Sequence, residues 1–264
     1  MKLLIRLSFL GTNYCGYQVQ PNGISVQSVL NRAAEELFGY PCDIVGCSRT
    51  DSGVHANCFC ATVTKRGTDA LETDIPAERI PQAISAHLPD DIRVFDAEWA
   101  DSSFHARYSV TEKEYLYRIF NRRVMSPFEA GRAYHLPQEL DGVAIQRMKT
   151  AAAFLLGTHD FKAYMAQGSK VTDTVRTVTR SEVAQSGDLI LYRIAANGFL
   201  YNMVRIIAGT LIDVVLGRIE PEQIPAITES GNRDSAGFTA PACGLYLDRV
   251  AYPPEFFRKS ANFI

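Results

Sequence analysis

The chain has 264 residues, 47% of them hydrophobic, so it can bury a sizeable core as one large domain or two modest ones, and disorder is excluded as its default state. Its 27 basic and 29 acidic residues nearly balance, which excludes recognition of nucleic acid through overall charge and leaves any RNA contact to a local basic surface. No apolar run approaches the length needed to cross a bilayer, and Met1 to Leu10 carries Lys2 and Arg6 among apolar residues, so a soluble, cytoplasmic protein is expected.

Lys2 to Phe9 is rich enough in Leu and Ile for a central strand and ends at the turn-forming Gly11-Thr12-Asn13. Ser25 is placed to cap a helix. Its Val26, Val29, Leu30, Ala33, Leu37 and Phe38 fall on one stripe, and Gly39 ends it. Two short strands, Cys42 to Cys47 and Asn57 to Thr64, flank the polar loop Ser48 to Ala56, where chemistry could sit. A helix from about Pro81 to Leu88 and a strand from Ile92 to Trp99 complete the order strand, helix, strand, strand, helix, strand. That order is the signature of a ferredoxin-like unit. The pattern breaks between Ala100 and Ser109, which divides the chain into an N-terminal half, 1–103, and a C-terminal half, 104–264.

The second half restarts with a strand from Lys113 to Phe120 and a helix from about Asp141 to Leu156, with Gly157 beyond it. Val175 to Ala184 and Leu189 to Ala196 are joined by Gln185-Ser186-Gly187-Asp188, a hairpin turn. Tyr201 to Leu216 is a helix apolar on nearly every side, and Leu245 to Tyr252 is the last strand. The fold class is α+β, with two related halves inferred from element order, since no strict sequence repeat is visible. The six cysteines lack zinc-type spacing. A metal cluster of Cys42, Cys47, Cys58 and His55 is therefore not expected, and neither is any organic cofactor.

Four features could carry chemistry. Ser48-Arg49-Thr50-Asp51-Ser52-Gly53-Val54-His55 reads on composition as a tight turn, or else as a carboxylate held at a strand end beside a cation and able to act as a nucleophile. In Lys113-Glu114-Tyr115-Leu116-Tyr117-Arg118, alternation puts Tyr115 and Tyr117 on one face. The pair is either core or a platform for unstacked bases amid Arg107, Lys113, Arg118, Arg122, Arg123 and Arg132. Arg205 is the first cation of its apolar helix, which points either to snorkelling or to pairing with an anion such as Asp51. His105, in Phe104-His105-Ala106-Arg107, has no visible partner and reads as a hydrogen-bonding residue rather than a general base.

Arg49 to His55 resembles the signature loop Arg-Thr-Asp-Ala/Ser-Gly-Val-His of the TruA family of tRNA pseudouridine synthases. Asn197-Gly198-Phe199-Leu200-Tyr201-Asn202-Met203-Val204-Arg205 is similar to a second segment of that family. Gly16-Tyr17-Gln18, Phe104 to Arg107, Tyr115-Leu116-Tyr117, Gly157-Thr158-His159-Asp160-Phe161 and Gly244-Leu245-Tyr246-Leu247 extend the likeness in the family's order. Ser48 stands where the family commonly has Gly, and Tyr17 where it commonly has Trp. Neither departure removes a catalytic group.

The resemblance implies that Asp51 is the catalytic aspartate, with Arg49 beside it and Arg205 as its basic partner, and that Tyr115 stacks on the target base. Arg107, His105 and Asn202, in the matching segments, complete the substrate-binding set. It further implies two ferredoxin-like halves sharing one extended mixed β-sheet with helices packed on it, an active cleft between them, and a homodimer. The partner implied by the resemblance is tRNA, modified at a uridine of the anticodon arm. A paralogue acting on another RNA site and a non-catalytic tRNA-binding protein on the same scaffold are the alternatives.

Overall fold

The structure is a computed structural model describing residues 1–21, 23–169 and 171–257. The chain divides into two compact units: Met1–Thr111 with the described residues from Leu247 onward, and Glu112–Tyr246. Ten strands, paired both parallel and antiparallel, and five α-helices among the described residues give the α+β class read from the sequence.

In the first unit β1 (Lys2–Phe9) is central, antiparallel to β3 (His55–Lys65) on one side and to β4 (Ile92–Ala100) on the other, with Leu3 opposite both Val63 and Trp99. Leu3, Leu4 and Ile5 are all fully buried. Both faces of β1 are therefore covered, which is why its sequence is continuously apolar rather than alternating. β2 (Cys42–Gly46) pairs with the far half of β3, and the order β4-β1-β3-β2 is that of a ferredoxin-like unit. Helix α1 (Val26–Phe38) turns Val26, Val29, Leu30, Ala33 and Ala34 inward, against β2 and α2. Ser25 accepts from the Ser28 amide at its start, and Gly39 closes it with φ of 75°. Helix α2 (Ile80–Ser85) packs on β4 through Ile80 and Ile84 and is shorter than its sequence pattern, although Leu88 beyond it is still buried.

The last strand, β10 (Leu245–Ala251), runs beside β3, and Asn57 Nδ2 donates to Asp248 at 2.6 Å. Phe104 sits edge-on among Tyr252, Phe256 and Phe257, with centroids 5.0–5.5 Å away, while the Tyr252 hydroxyl donates to the Ala106 carbonyl at 2.7 Å. This aromatic cluster fastens the chain's return to the Phe104–Arg107 segment.

In the second unit β5 (Glu112–Asn121) pairs antiparallel with β9 (Leu189–Ala196), β9 with β8 (Val175–Ser186), and β8 with β7 (Gly157–Asp160). The short β6 (Tyr134–Leu136) runs parallel to the end of β5. The order β5-β9-β8 repeats β1-β3-β2 of the first unit, with α3 (Gly142–Ala153) in the place of α1. Asp141 caps α3 through the Ala144 amide. Helix α4 (Met203–Val215) packs on α3 and β5 and buries eleven residues, from Met203 and Val204 through Ile206 to Val214, so its nearly uniform apolarity reflects contact on several sides. α5 (Ile224–Ser230) completes the unit. No described helix is long and apolar enough to cross a membrane.

Candidate active site

In the first unit β2 and β3 run antiparallel, and the chain between them is the loop that carries Asp51. The Val54 amide donates to the Asp51 carbonyl at 3.2 Å, closing a turn in which Gly53 has φ of 79°. Only glycine takes that conformation without strain, so the spacing from Asp51 to Gly53 is set by the turn itself. The loop is tied down at three more points. The Tyr17 amide donates to the Thr50 carbonyl at 3.3 Å, Ser52 Oγ donates to the Tyr14 carbonyl at 3.1 Å, and the Gly11 amide donates to His55 Nδ1 at 2.9 Å. His55 is fully buried with Nδ1 used as an acceptor, so it anchors the loop rather than facing a substrate. Asp51 is half-buried and Arg49 exposed.

Behind the loop lies a buried polar group of residues. Tyr17 stacks on Phe59 with ring centroids 4.2 Å apart, and burial pushes its phenol well up, helped by Cys47 and opposed by the Arg107 guanidinium. The Tyr17 hydroxyl, Thr50 Oγ1 and Arg107 Nε are buried and have no hydrogen-bond partner among the described residues. His105 Nδ1 accepts from the amides of Arg107 and Tyr108 at 3.1 and 3.3 Å, and its ring lies 4.3 Å from that of Tyr108. Burial, then Lys2 and Arg107, lower its pKa, so the ring is kept neutral as an acceptor. In these contacts His105 organises the backbone that presents Arg107.

The second unit carries Tyr115, Asn202 and Arg205. Tyr115 on β5 is 7% exposed and meets the Phe199 ring edge-to-face, with centroids 5.0 Å apart at 86°. Tyr117 shares its face but is wholly buried and donates to the Pro241 carbonyl at 2.8 Å, which makes it core. Asn202 precedes α4 with φ of 58°, and its Oδ1 accepts not from the helix amides but from Arg205 Nη1, at 2.9 Å. Arg205 Nε donates to the Ala240 carbonyl at 2.8 Å. Two donors of the guanidinium are thus fixed by groups on either side of the helix start.

Of the basic residues around Tyr115, Arg118 pairs with Glu129 at 2.7 Å and lies over the Tyr246 ring, and Arg122 pairs with Asp188 at 3.1 Å. Much of that positive charge is neutralised within the unit. Arg123 and Arg132 are exposed. Sequence reasoning gave no role to Phe199 or to Ala240, whose contacts with Tyr115 and Arg205 bring together residues far apart in the chain. Among the described residues no three His, Cys, Asp or Glu side chains are grouped to hold a metal ion.

A half-buried carboxylate on a braced turn can serve as a nucleophile, and a tyrosine held by a second, perpendicular ring can hold a flat base. The chain is similar to known proteins of one family. The family described as tRNA pseudouridine synthase matches residues 7–109 and 151–253. A tRNA pseudouridine synthase A of Thermoanaerobacter sp. (strain X514) is 44% identical over 250 residues, covering 95% of this chain and 99% of that protein. Proteins of the same name from Acetivibrio thermocellus and Bacillus subtilis (strain 168) are 43% and 42% identical, each covering 96% of this chain and 99% of its own length.

Proposed function

Because the chain belongs to the tRNA pseudouridine synthase family, we propose that it isomerises uridine to pseudouridine in the anticodon arm of tRNA, with Asp51 as the nucleophile. Such an isomerase breaks the N1–C1′ bond of uridine, turns the detached uracil, and joins C5 to C1′, while the C5 proton leaves and N1 gains one. Nothing is oxidised or reduced. One carboxylate suffices, whether it adds to the pyrimidine ring or attacks C1′.

In this reading residues 1–103 supply Asp51 and Arg49, and residues 104–264 supply Tyr115 to stack on the base and Arg205 to pair with the carboxylate. Arg107, His105 and Asn202 belong to the substrate-binding set. Asn202 serves through Arg205, whose Nη1 donates to its Oδ1. The enzyme acts in the cytoplasm as a homodimer. The observation that supports the assignment best is the turn from Asp51 to Val54, closed by a backbone hydrogen bond and dependent on Gly53, which presents one carboxylate at a fixed place in a segment matched by the family.

Purified protein incubated with unmodified tRNA transcripts, followed by mapping of pseudouridine, tests the reading. The wild type is expected to modify anticodon-arm uridines, and Asp51→Asn to bind tRNA without forming product. Turnover by Asp51→Asn near the wild-type level would remove the nucleophile assignment. Modification confined to other RNA positions would remove the target.

A further inference from the structure

The segment 236–240 is fastened at one end to Arg205 and at the other to Arg233. Ala240 exchanges two hydrogen bonds with Arg205: its carbonyl accepts from Nε at 2.8 Å, and its amide donates to the Arg205 carbonyl at 3.0 Å. Arg233 reaches the same segment from the opposite end. Its Nη1 donates to the Gly237 carbonyl at 2.9 Å and the Ala236 carbonyl at 3.4 Å, and its Nη2 to Thr239 Oγ1 at 3.2 Å. Between these ends the segment lies directly on α4. A Cβ on Gly209 would sit 1.8 Å from the Phe238 carbonyl oxygen, a Cβ on Gly237 would sit 2.6 Å from the Thr210 backbone, and the Gly237 amide donates to Thr210 Oγ1 at 2.9 Å.

We propose that Arg233 is a positioning residue for Arg205. It places three donor contacts on Ala236, Gly237 and Thr239, the residues leading into Ala240, and so sets where the Ala240 carbonyl meets Nε. That carbonyl and Asn202 Oδ1 together fix the plane of the Arg205 guanidinium, which a single bond would leave free to rotate. The close approach at Gly209 makes the segment a rigid strut on the helix that bears Arg205. A strut transmits a displacement where a flexible loop would absorb it. The assignment rests on the reading of Arg205 as a functional residue, and it adds a group that acts through that side chain.

The test is single-turnover pseudouridine formation on a tRNA transcript, with tRNA affinity and thermal melting measured on the same samples. Arg233→Ala is expected to slow the step by about tenfold while affinity stays within about twofold, as for a displaced catalytic group. Arg233→Lys is expected to recover part of the rate, since an ammonium can serve one of the carbonyls but not all three acceptors. In an Arg205→Ala background the Arg233 substitution is expected to add no further loss, because it acts through that side chain.

A folded Arg233→Ala protein with the wild-type rate, or one that loses tRNA affinity at an unchanged rate, overturns the proposal. So does a full additional loss in the double variant. A wild type inactive on tRNA, or an Arg205→Ala variant as active as wild type, overturns the underlying reading and this proposal with it. Should Arg233→Ala not fold, Thr239→Val removes a single contact, and its rate is expected to fall about threefold. A wild-type rate there overturns the proposal equally.

Discussion

Arg205 and Ala240 hold each other twice: the guanidinium Nε donates to the Ala240 carbonyl at 2.8 Å, and the Ala240 amide donates to the Arg205 carbonyl at 3.0 Å. The side chain and its own backbone are thereby locked to one residue. The orientation of the guanidinium, and not only its charge, is built in.

Arg205→Lys keeps the charge and loses the geometry. An ammonium cannot place one donor on Ala240, a second on Asn202 Oδ1 and a third on an anion in one plane. Turnover is expected to fall by about a hundredfold, in the range of a lost charge-stabilising donor, with tRNA affinity little changed. Steady-state kinetics beside a binding isotherm measure this. A lysine variant with more than about a third of wild-type turnover would mean that charge alone is enough.

Phe199 braces Tyr115 in a perpendicular ring contact, with centroids 5.0 Å apart. Phe199→Leu keeps apolar bulk and loses the ring contact, worth about 0.5–1.5 kcal/mol. If Tyr115 must be held still to keep the detached base, the rate is expected to fall roughly threefold to tenfold, matching that energy. An unchanged rate with lowered melting temperature would restrict Phe199 to stability.

Much of the fold was legible because its elements carry one unbroken period. The strand Lys2 to Phe9, the helix between Ser25 and Gly39 and the hairpin around Gly187-Asp188 needed only apolar pattern and turn chemistry. β6 was not legible, since three residues parallel to the end of β5 show no alternation, and β7 escaped because three of its four residues are exposed. The start of α4 fell two residues later than its apolar run, because Asn202 takes a left-handed conformation and turns its side chain to Arg205. The site divides in the same way. The Asp51 loop is local and was visible as a spacing, while the Phe199 edge, the Ala240 carbonyl and the Arg233 contacts join residues distant in the chain.

Gly53→Ala tests the turn beneath Asp51 without touching the carboxylate. At φ of 79° an alanine costs about 1–2 kcal/mol, so the melting temperature is expected to drop by a few degrees, roughly 2–4 °C per kcal/mol for a chain of this size. Activity is expected to fall further than stability explains, because the turn sets where the carboxylate points. Pseudouridine formation at a temperature well below the measured melting point of both proteins separates the two effects. Full activity at that temperature would show that the turn tolerates a shift.

The two cysteines of β3 that share a face give a pH signature. Donation from the Cys60 thiol lowers the Cys58 pKa from 9 to about 7, with Arg6 assisting against burial, while the Cys60 thiol is pushed up by the same bond and by burial. The sign follows directly. A lowered pKa means that Cys58 carries more thiolate at neutral pH than an ordinary cysteine, and the thiolate is the reactive form. Alkylation of Cys58 by iodoacetamide, followed by peptide mass analysis, is expected to rise with a midpoint near pH 7. Cys60, fully buried, is expected to stay unmodified in the folded protein. Cys60→Ala removes the donor, so the Cys58 midpoint is expected to move up toward its ordinary value. A midpoint that stays near 7 in that variant would assign the shift to Arg6 instead.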